Sequence, residues 1–66
     1  MSVIKVIEVL SESNVSWEDA ARLAVAKAGE TLHNIKSIYI KDHSAQVDNG
    51  RIISYRINAK VSFELD

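Results

Sequence analysis

The sequence predicts an α+β domain in which a three-stranded antiparallel sheet curls around one helix, in the order β-α-β-β. Three observations predict it: a β-branched run at residues 3–10, a helical apolar stripe at residues 17–32, and two strand-like stretches, 35–47 and 51–65, joined at Asn-Gly. The 66 residues include neither cysteine nor proline. We therefore expect a single domain spanning residues 1–66.

The first predicted strand has apolar residues on both of its faces. Alternation along a strand places Val3, Ile7 and Val9 on one face and Ile4, Val6 and Leu10 on the other. Such a strand is expected to be covered from both sides. The polar segment Ser11–Asn14 is predicted to be a connector, and Ser16, followed three residues later by Asp19, is predicted to cap the helix.

The predicted helix runs from Trp17 to about Leu32 and buries a stripe that is mostly alanine. Small side chains allow the helix to approach a sheet closely but add little volume to a core. Leu23 and Ala26 project away from this stripe.

The last two strands are predicted to form a long hairpin, because Asn49 and Gly50 both tolerate positive φ. The last strand alternates cleanly, with one apolar face formed by Ile53, Tyr55, Ile57, Ala59, Val61, Phe63 and Leu65. The preceding stretch alternates less well. There, Lys36 and Asp42 fall beside Ile38 and Ile40, which predicts that these isoleucines are uncovered.

More apolar surface is predicted than one helix can cover. The uncovered residues are Ile4, Val6, Leu10, Leu23, Ile38 and Ile40. A chain below roughly 70 to 80 residues usually needs disulfides, a metal or oligomerisation for stability, and a chain without cysteine has no disulfides or thiolate metal sites. We therefore predict a closed homo-oligomer, which removes both the exposed patch and the sheet edges.

Charge and motif content argue against several classes of function. The chain has 8 Lys and Arg against 9 Asp and Glu, so it lacks the basic patch of a nucleic-acid binder. No apolar run is long enough to span a membrane and no leader is recognisable, which predicts a cytoplasmic protein without nucleic-acid or membrane partners. His33 and His43 have no partners at catalytic or zinc spacing. An enzyme would have to build its site between chains.

Three segments together resemble a known family. They are Lys5–Glu8, the helix start Ser-Trp-Glu-Asp-Ala-Ala at residues 16–21, and the final strand from Tyr55-Arg56-Ile57 to Phe63-Glu64-Leu65. In this order the chain resembles the dodecins over essentially its whole length. The resemblance implies a hollow homododecamer that binds and stores a small ligand without catalysis, and many dodecins bind flavins in pairs.

The resemblance also indicates where flavin binding would fail. In flavin-binding members a tryptophan near the start of the second strand stacks on the ring and a glutamine on the third strand hydrogen-bonds it. This sequence has Ser37 and Arg56 at those positions, and serine supplies no ring for stacking. The alternative is a flavin or another phosphorylated aromatic ligand held by Tyr39 and Arg56. Arg56 is otherwise expected to pair with Glu8 or Glu64 of a neighbouring chain.

A branch of the family that lacks the stacking tryptophan is associated with calcium, and the chain looks closer to that branch. Calcium takes six to eight oxygen ligands. Two segments offer oxygens: Ser11–Asn14 with Glu18 and Asp19, and Asp48–Asn49. We predict calcium at a site to which several chains contribute. In the alternative reading, Glu18 and Asp19 only complement the helix dipole and Asp48 only forms the turn. Trp17 is predicted to be a hydrophobic anchor within the fold or between subunits, with ligand stacking as the alternative.

Overall fold

The computed structural model describes residues 2–65 and confirms the predicted β-α-β-β order. The elements are β1 (Ile4–Ser13), α1 (Trp17–Ala28), β2 (Ile35–Asp48) and β3 (Arg51–Glu64). The strand order is β1-β3-β2, so that β3 is central and pairs antiparallel with both neighbours. The ends of the predicted domain, Met1 and Asp66, lie outside the described residues. No helix within residues 2–65 is long and apolar enough to cross a membrane.

The first strand is longer than predicted, because β1 continues through Ser11 and Glu12 to Ser13. The prediction of a connector that begins at Ser11 is therefore wrong. These polar residues remain in the strand because each has a specific partner. The Ser11 hydroxyl donates to the Ala20 carbonyl at 2.8 Å, and Glu12 lies opposite Arg56. Because of this longer strand, β1 pairs with β3 without a break from one end to the other.

The pairing of β2 with β3 is irregular at three places, one of them between Gln46 and Val47, and the other two explain the poor alternation of β2. The pairing with β3 shifts between Ile35 and Ser37 and again between Ile40 and Asp42, so that Lys36 and Lys41 are extra residues. Each shift restores the apolar residues to the face of the sheet that α1 covers. Ile38 consequently packs against the core, and the prediction that it is uncovered is wrong. Ile40 lies opposite the buried Ala59 but remains partly exposed.

The helix is shorter than predicted: α1 ends at Ala28 and not near Leu32. Beyond Ala28 the hydrogen bonds tighten, because the amides of Glu30 and Thr31 each donate to a carbonyl three residues earlier, at 3.2 Å. Asn34 then adopts φ 60°, a left-handed conformation that turns the chain into β2.

The core is small and rich in alanine, as predicted. Ala20 of α1 and Ala59 of β3 are completely buried beside Ile57, and Val9, Ala21 and Ile38 pack around them. The absence of large side chains at these two positions lets the helix lie close to the central strand.

The hairpin turn is the predicted one. Asn49 and Gly50 have φ of 53° and 74°, the left-handed pair that a type I′ turn requires. Because β2 and β3 each contain 14 residues, the hairpin continues past the beginning of α1. The molecule is elongated, with extents of 51 × 20 × 13 Å.

Candidate functional site

The face of the sheet turned away from α1, hereafter the outer face, is largely polar along β3. Ile57, Ala59 and Val61 of β3 are buried on the helix side. Alternation therefore places the intervening side chains on the outer face. Glu12 and Glu8 of β1 lie opposite Arg56 and Lys60 there.

Arg56 joins all three strands on the outer face. Its Nη2 and Nε donate to Glu12 Oε1 at 2.8 and 3.2 Å. With the Gln46 amide oriented so that its oxygen faces the guanidinium, that oxygen accepts from Nη1 at 3.2 Å and Nη2 at 3.0 Å. The pairing partner within the chain is thus Glu12, whereas the sequence predicted a partner in a neighbouring chain, Glu8 or Glu64. Glu8 instead forms an ion pair with Lys41 at 3.5 Å.

The predicted ligand residues Ser37 and Tyr39 lie together on β2, but Arg56 lies at a distance from them. Ser37 shares a hydroxyl hydrogen bond with Ser62, and the exposed Tyr39 is opposite Lys60. Arg56 is four residues from Lys60 along β3, or about 13 Å at 3.3 Å per residue. Within one chain the three residues therefore do not surround a common point, and the guanidinium is already occupied by Glu12 and Gln46.

The beginning of the helix is organised by Ser13, which the sequence did not single out. This buried hydroxyl donates to Asp19 Oδ2 at 2.6 Å and accepts from the Val15 amide at 2.9 Å. Ser16 caps the helix as predicted, accepting from the Asp19 amide at 2.9 Å. Ser13 therefore holds the Asp19 carboxylate in place. The sequence alone does not indicate this contact, because it depends on β1 extending as far as Ser13.

The three predicted metal ligands are not gathered within one chain. Asp19 is bound to Ser13, and the adjacent Glu18 is exposed in the first turn of α1. Asp48 lies at the far end of the hairpin, opposite Arg51. Across residues 2–65 no group of three His, Asp or Glu side chains is close enough to hold a metal ion. A calcium site that uses these carboxylates needs oxygens from other chains.

Trp17 anchors the first turn of α1 on the hairpin. Its Nε1 donates to the Ser44 carbonyl at 2.8 Å. The indole meets Tyr55 and His43 edge to face, at centroid distances of 4.9 and 5.3 Å. Trp17 therefore has a structural role in the fold. His43 packs against its indole, and His33 is exposed after the end of the helix.

An apolar groove runs between β1 and the second half of α1, and we refer to it as the β1–α1 groove. It has a volume of about 810 Å³, and its apolar lining includes Ile7, Leu10 and Leu23. Lys27 and Glu30 line its helix side. The sequence predicted that Leu10 and Leu23 are uncovered but not that they share one depression.

The short, alanine-lined helix over a long three-stranded sheet is the architecture of the dodecins. A model of the Dodecin family matches residues 3–66, and the chain belongs to this family. The chain is 38% identical to calcium dodecin of Mycobacterium tuberculosis over 65 residues, covering 98% of this chain and 92% of the relative.

Solved structures agree with this assignment. The structure of the Mycobacterium tuberculosis protein, described as a calcium chelating immunodominant antigen with a novel calcium-binding site, covers 98% of this chain and 93% of its own, with a TM-score of 0.84. Dodecin from Streptomyces davaonensis gives a TM-score of 0.93 at 26% identity, covering 98% of this chain and 96% of its own. Dodecin from Streptomyces coelicolor gives 0.94 at 25% identity, with 98% and 93% covered.

Proposed function

We propose that this protein is a non-enzymatic binding and storage protein that assembles into a homododecameric shell in the cytoplasm. The observation that supports the assembly is the extended shape of the single chain. Its radius of gyration is 13.5 Å, whereas a compact domain of this length has about 10.8 Å. Its accessible surface is 4915 Å², against about 4,200 Å² for a compact monomer of the same mass.

The excess surface of about 700 Å² per chain is close to the roughly 800 Å² that one partner contributes to a standard protein interface. Apolar residues on both ends of the molecule contribute to it, among them Val6, Leu10 and Ile52. Both β1 and β2 are also edge strands with one unpaired side. Neighbouring copies would cover the exposed surface and protect these edges.

The native mass tests the assembly. Light scattering or native mass spectrometry of the wild-type protein is expected to give about twelve times the 7.3 kDa of one chain. A stable, folded species of 7.3 kDa in dilute buffer would contradict the shell.

We propose calcium as the ligand, bound between chains by Glu18, Asp19 and Asp48. The support is the 38% identity to calcium dodecin over 98% of this chain. A single helix start favours anions, so Glu18 and Asp19 alone are a poor cation site. Repetition of these carboxylates around a symmetry axis would add both the negative charge and the six to eight oxygens that calcium needs.

Calorimetric titration of metal-stripped protein with calcium tests this site. Heat is expected for the wild type, and the combined change Glu18→Gln, Asp19→Asn and Asp48→Asn is expected to weaken binding at least tenfold at unchanged native mass. Each amide keeps an acceptor oxygen but removes the charge. Asp42→Asn, an exposed change on β2, is the control and is expected to bind as the wild type does. No heat at millimolar calcium would contradict the proposal.

A flavin or a similar phosphorylated aromatic molecule is the second candidate ligand. The exposed ring of Tyr39 on the outer face favours it. Two features argue against it. The Arg56 guanidinium is already hydrogen-bonded within the chain. Ser37 has no aromatic ring for stacking, and its hydroxyl is hydrogen-bonded to Ser62.

A further inference from the structure

The turn of the hairpin places a labile asparagine directly before a glycine. Asn49 is followed by Gly50, and both residues are exposed. Asparagine is chemically labile because the backbone nitrogen of the next residue can attack the carbonyl carbon of its side chain and close a succinimide ring. Glycine has no Cβ beside that nitrogen, so that the attack is least hindered at an Asn-Gly pair. The chain has one such pair among its four asparagines.

The structure leaves the attacking nitrogen of Gly50 outside the strand ladder. The last cross-strand pair before the turn is Asp48 with Arg51, so that the ladder closes on these two residues and not on the amides of Asn49 and Gly50. Apart from its chain neighbours, no atom of residues 2–65 lies within 4 Å of the position that a Cβ would occupy at Gly50. Movement of the Gly50 amide therefore breaks no cross-strand hydrogen bond and meets no neighbouring side chain.

The backbone conformation of Asn49 does not oppose the reaction either. Asn49 has φ 53°, in the left-handed region that residues with a Cβ adopt at a cost. Attack requires a rotation of Asn49 that brings its Cγ to the Gly50 nitrogen. Because the starting conformation is itself disfavoured and exposed loop tips open locally at low free energy, the fold is expected to protect Asn49 only weakly.

The three other asparagines are followed by residues whose amides are hindered or already used; they are Asn14, Asn34 and Asn58. The first precedes the β-branched Val15, whose amide donates to the Ser13 hydroxyl at 2.9 Å. The second precedes the β-branched Ile35 at the beginning of β2. The third precedes Ala59, which is completely buried in the central strand. The open amide and the unhindered neighbour therefore coincide at Asn49.

We propose that Asn49 is a site of spontaneous deamidation. The lone pair of the Gly50 nitrogen forms a bond to Cγ of Asn49, the bond from Cγ to the side-chain nitrogen breaks, and ammonia leaves with the proton that Gly50 gives up. Water then opens the succinimide at one of its two carbonyls. Opening at one carbonyl gives aspartate, and opening at the other gives isoaspartate, in which the backbone runs through Cγ. Either product adds one negative charge to the formal net charge of -1.

The two products have different effects on the hairpin. Aspartate is expected to keep the turn, because Asp-Gly suits the same type I′ geometry as Asn-Gly. Isoaspartate inserts one more carbon into the backbone between the strands, which a two-residue turn does not accommodate. The pairing of Asp48 with Arg51 next to the turn is therefore expected to be disturbed in the isoaspartyl form only.

Prolonged incubation of the native wild-type protein at mildly alkaline pH tests the site, because the attacking amide reacts in its deprotonated form. After cleavage behind Lys and Arg, residues 42–51 form one peptide, in which Asn49 is the only asparagine. Mass spectrometry is expected to show in this peptide the gain that corresponds to exchange of an amide for a carboxyl group, as both aspartate and isoaspartate at position 49. The three other asparagines are expected to convert at least tenfold more slowly. Conversion at any of them as fast as at Asn49 would overturn the proposal.

The same incubation in urea measures how far the fold protects the turn. The rate at Asn49 in the native protein is expected to lie within tenfold of the rate in the unfolded chain. A native rate more than tenfold slower would show that the folded turn blocks the attack, and the proposal would be wrong.

Asn49→Gly is the matched control, because Gly-Gly also forms a type I′ turn but has no side-chain amide. This variant is expected to stay folded by circular dichroism and to show no mass gain in the peptide of residues 42–51. A gain equal to that of the wild type would assign the modification to Gln46, the other amide of this peptide, and would exclude Asn49.

Discussion

Arg56 connects the three strands of the sheet, and the same contacts occupy its guanidinium at a candidate ligand position. Its guanidinium on β3 bonds to Glu12 on β1 and to Gln46 on β2. Within the chain its acidic partner is Glu12, whereas the sequence predicted Glu8 or Glu64 of a neighbouring chain. The partner within the chain depends on strand register, and the sequence predicts a first strand that ends before Glu12. Because its donors are satisfied inside the chain, Arg56 gains little free energy by binding an external anion.

Replacing the two residues that disfavour flavin is expected to create binding. Ser37→Trp adds a ring to the outer face, and Arg56→Gln releases the charged network beside Glu12. Ring stacking contributes about 0.5–1.5 kcal/mol beyond the buried area, so the double variant is expected to bind flavin several-fold to more than tenfold more tightly than the wild type. Quenching of flavin fluorescence measures the effect, with Ser37→Ala as the control. Equal quenching by the wild type would show that the native outer face already holds the ring.

Ser13 is expected to matter more for stability than its small side chain indicates. Ser13→Ala removes the acceptor of the Val15 amide and the donor to Asp19, and Ser13 itself is only 7% exposed. Leaving such groups unsatisfied costs about 1–3 kcal/mol in the free energy of unfolding. Ser44→Ala is the matched control, because Ser44 is exposed and contacts Trp17 through its carbonyl rather than its hydroxyl. Urea denaturation compares the two, and similar losses would contradict this role.

At the scale of the elements, the sequence predicted the order and the turn well but not the ends of the elements or the bulges of β2. The turn at Asn49 and Gly50 and the cap at Ser16 follow from local chemistry, and the structure confirms both. The bulges at Lys36 and Lys41 depend on pairing with β3, which local periodicity does not contain. The sequence indicates each candidate site residue individually. The distances between these residues depend on the register of the strands, which only the fold shows.

The close contact between α1 and β3 is expected to exclude larger side chains. Ala20 is completely buried against Ile57 and Ala59, so that Ala20→Leu forces the helix away from the sheet. Overpacking of this kind costs about 1–3 kcal/mol in the free energy of unfolding. Ala26→Leu adds the same side chain on the exposed face of the same helix and is expected to change the stability by less than about 0.5 kcal/mol. Thermal unfolding of both variants decides, and an unaffected Ala20→Leu protein would show that the core is looser than described.

At the scale of the whole molecule, the core is too small for the surface that the chain displays. Among residues 2–65 the buried apolar residues are Ala20, Ala24, Ile57, Ala59, Val61 and Phe63, and half of these are alanine. With no cysteine, the chain has no disulfide that would compensate. Assembly is therefore expected to supply a large part of the free energy that keeps each chain folded.

This dependence predicts that stability changes with protein concentration. When unfolding also separates the chains, the apparent midpoint rises with concentration by mass action, because only the folded state assembles. Urea or thermal unfolding over about a hundredfold range of concentration is expected to show a midpoint that rises steadily, whereas an autonomous domain keeps a constant midpoint. Val6→Lys, which places a charge on the exposed apolar side of β1, is expected to lower the midpoint at every concentration, since burying an unpaired charge between chains is costly. A wild-type midpoint independent of concentration would mean that each chain is stable by itself, and the small alanine-rich core would then be sufficient.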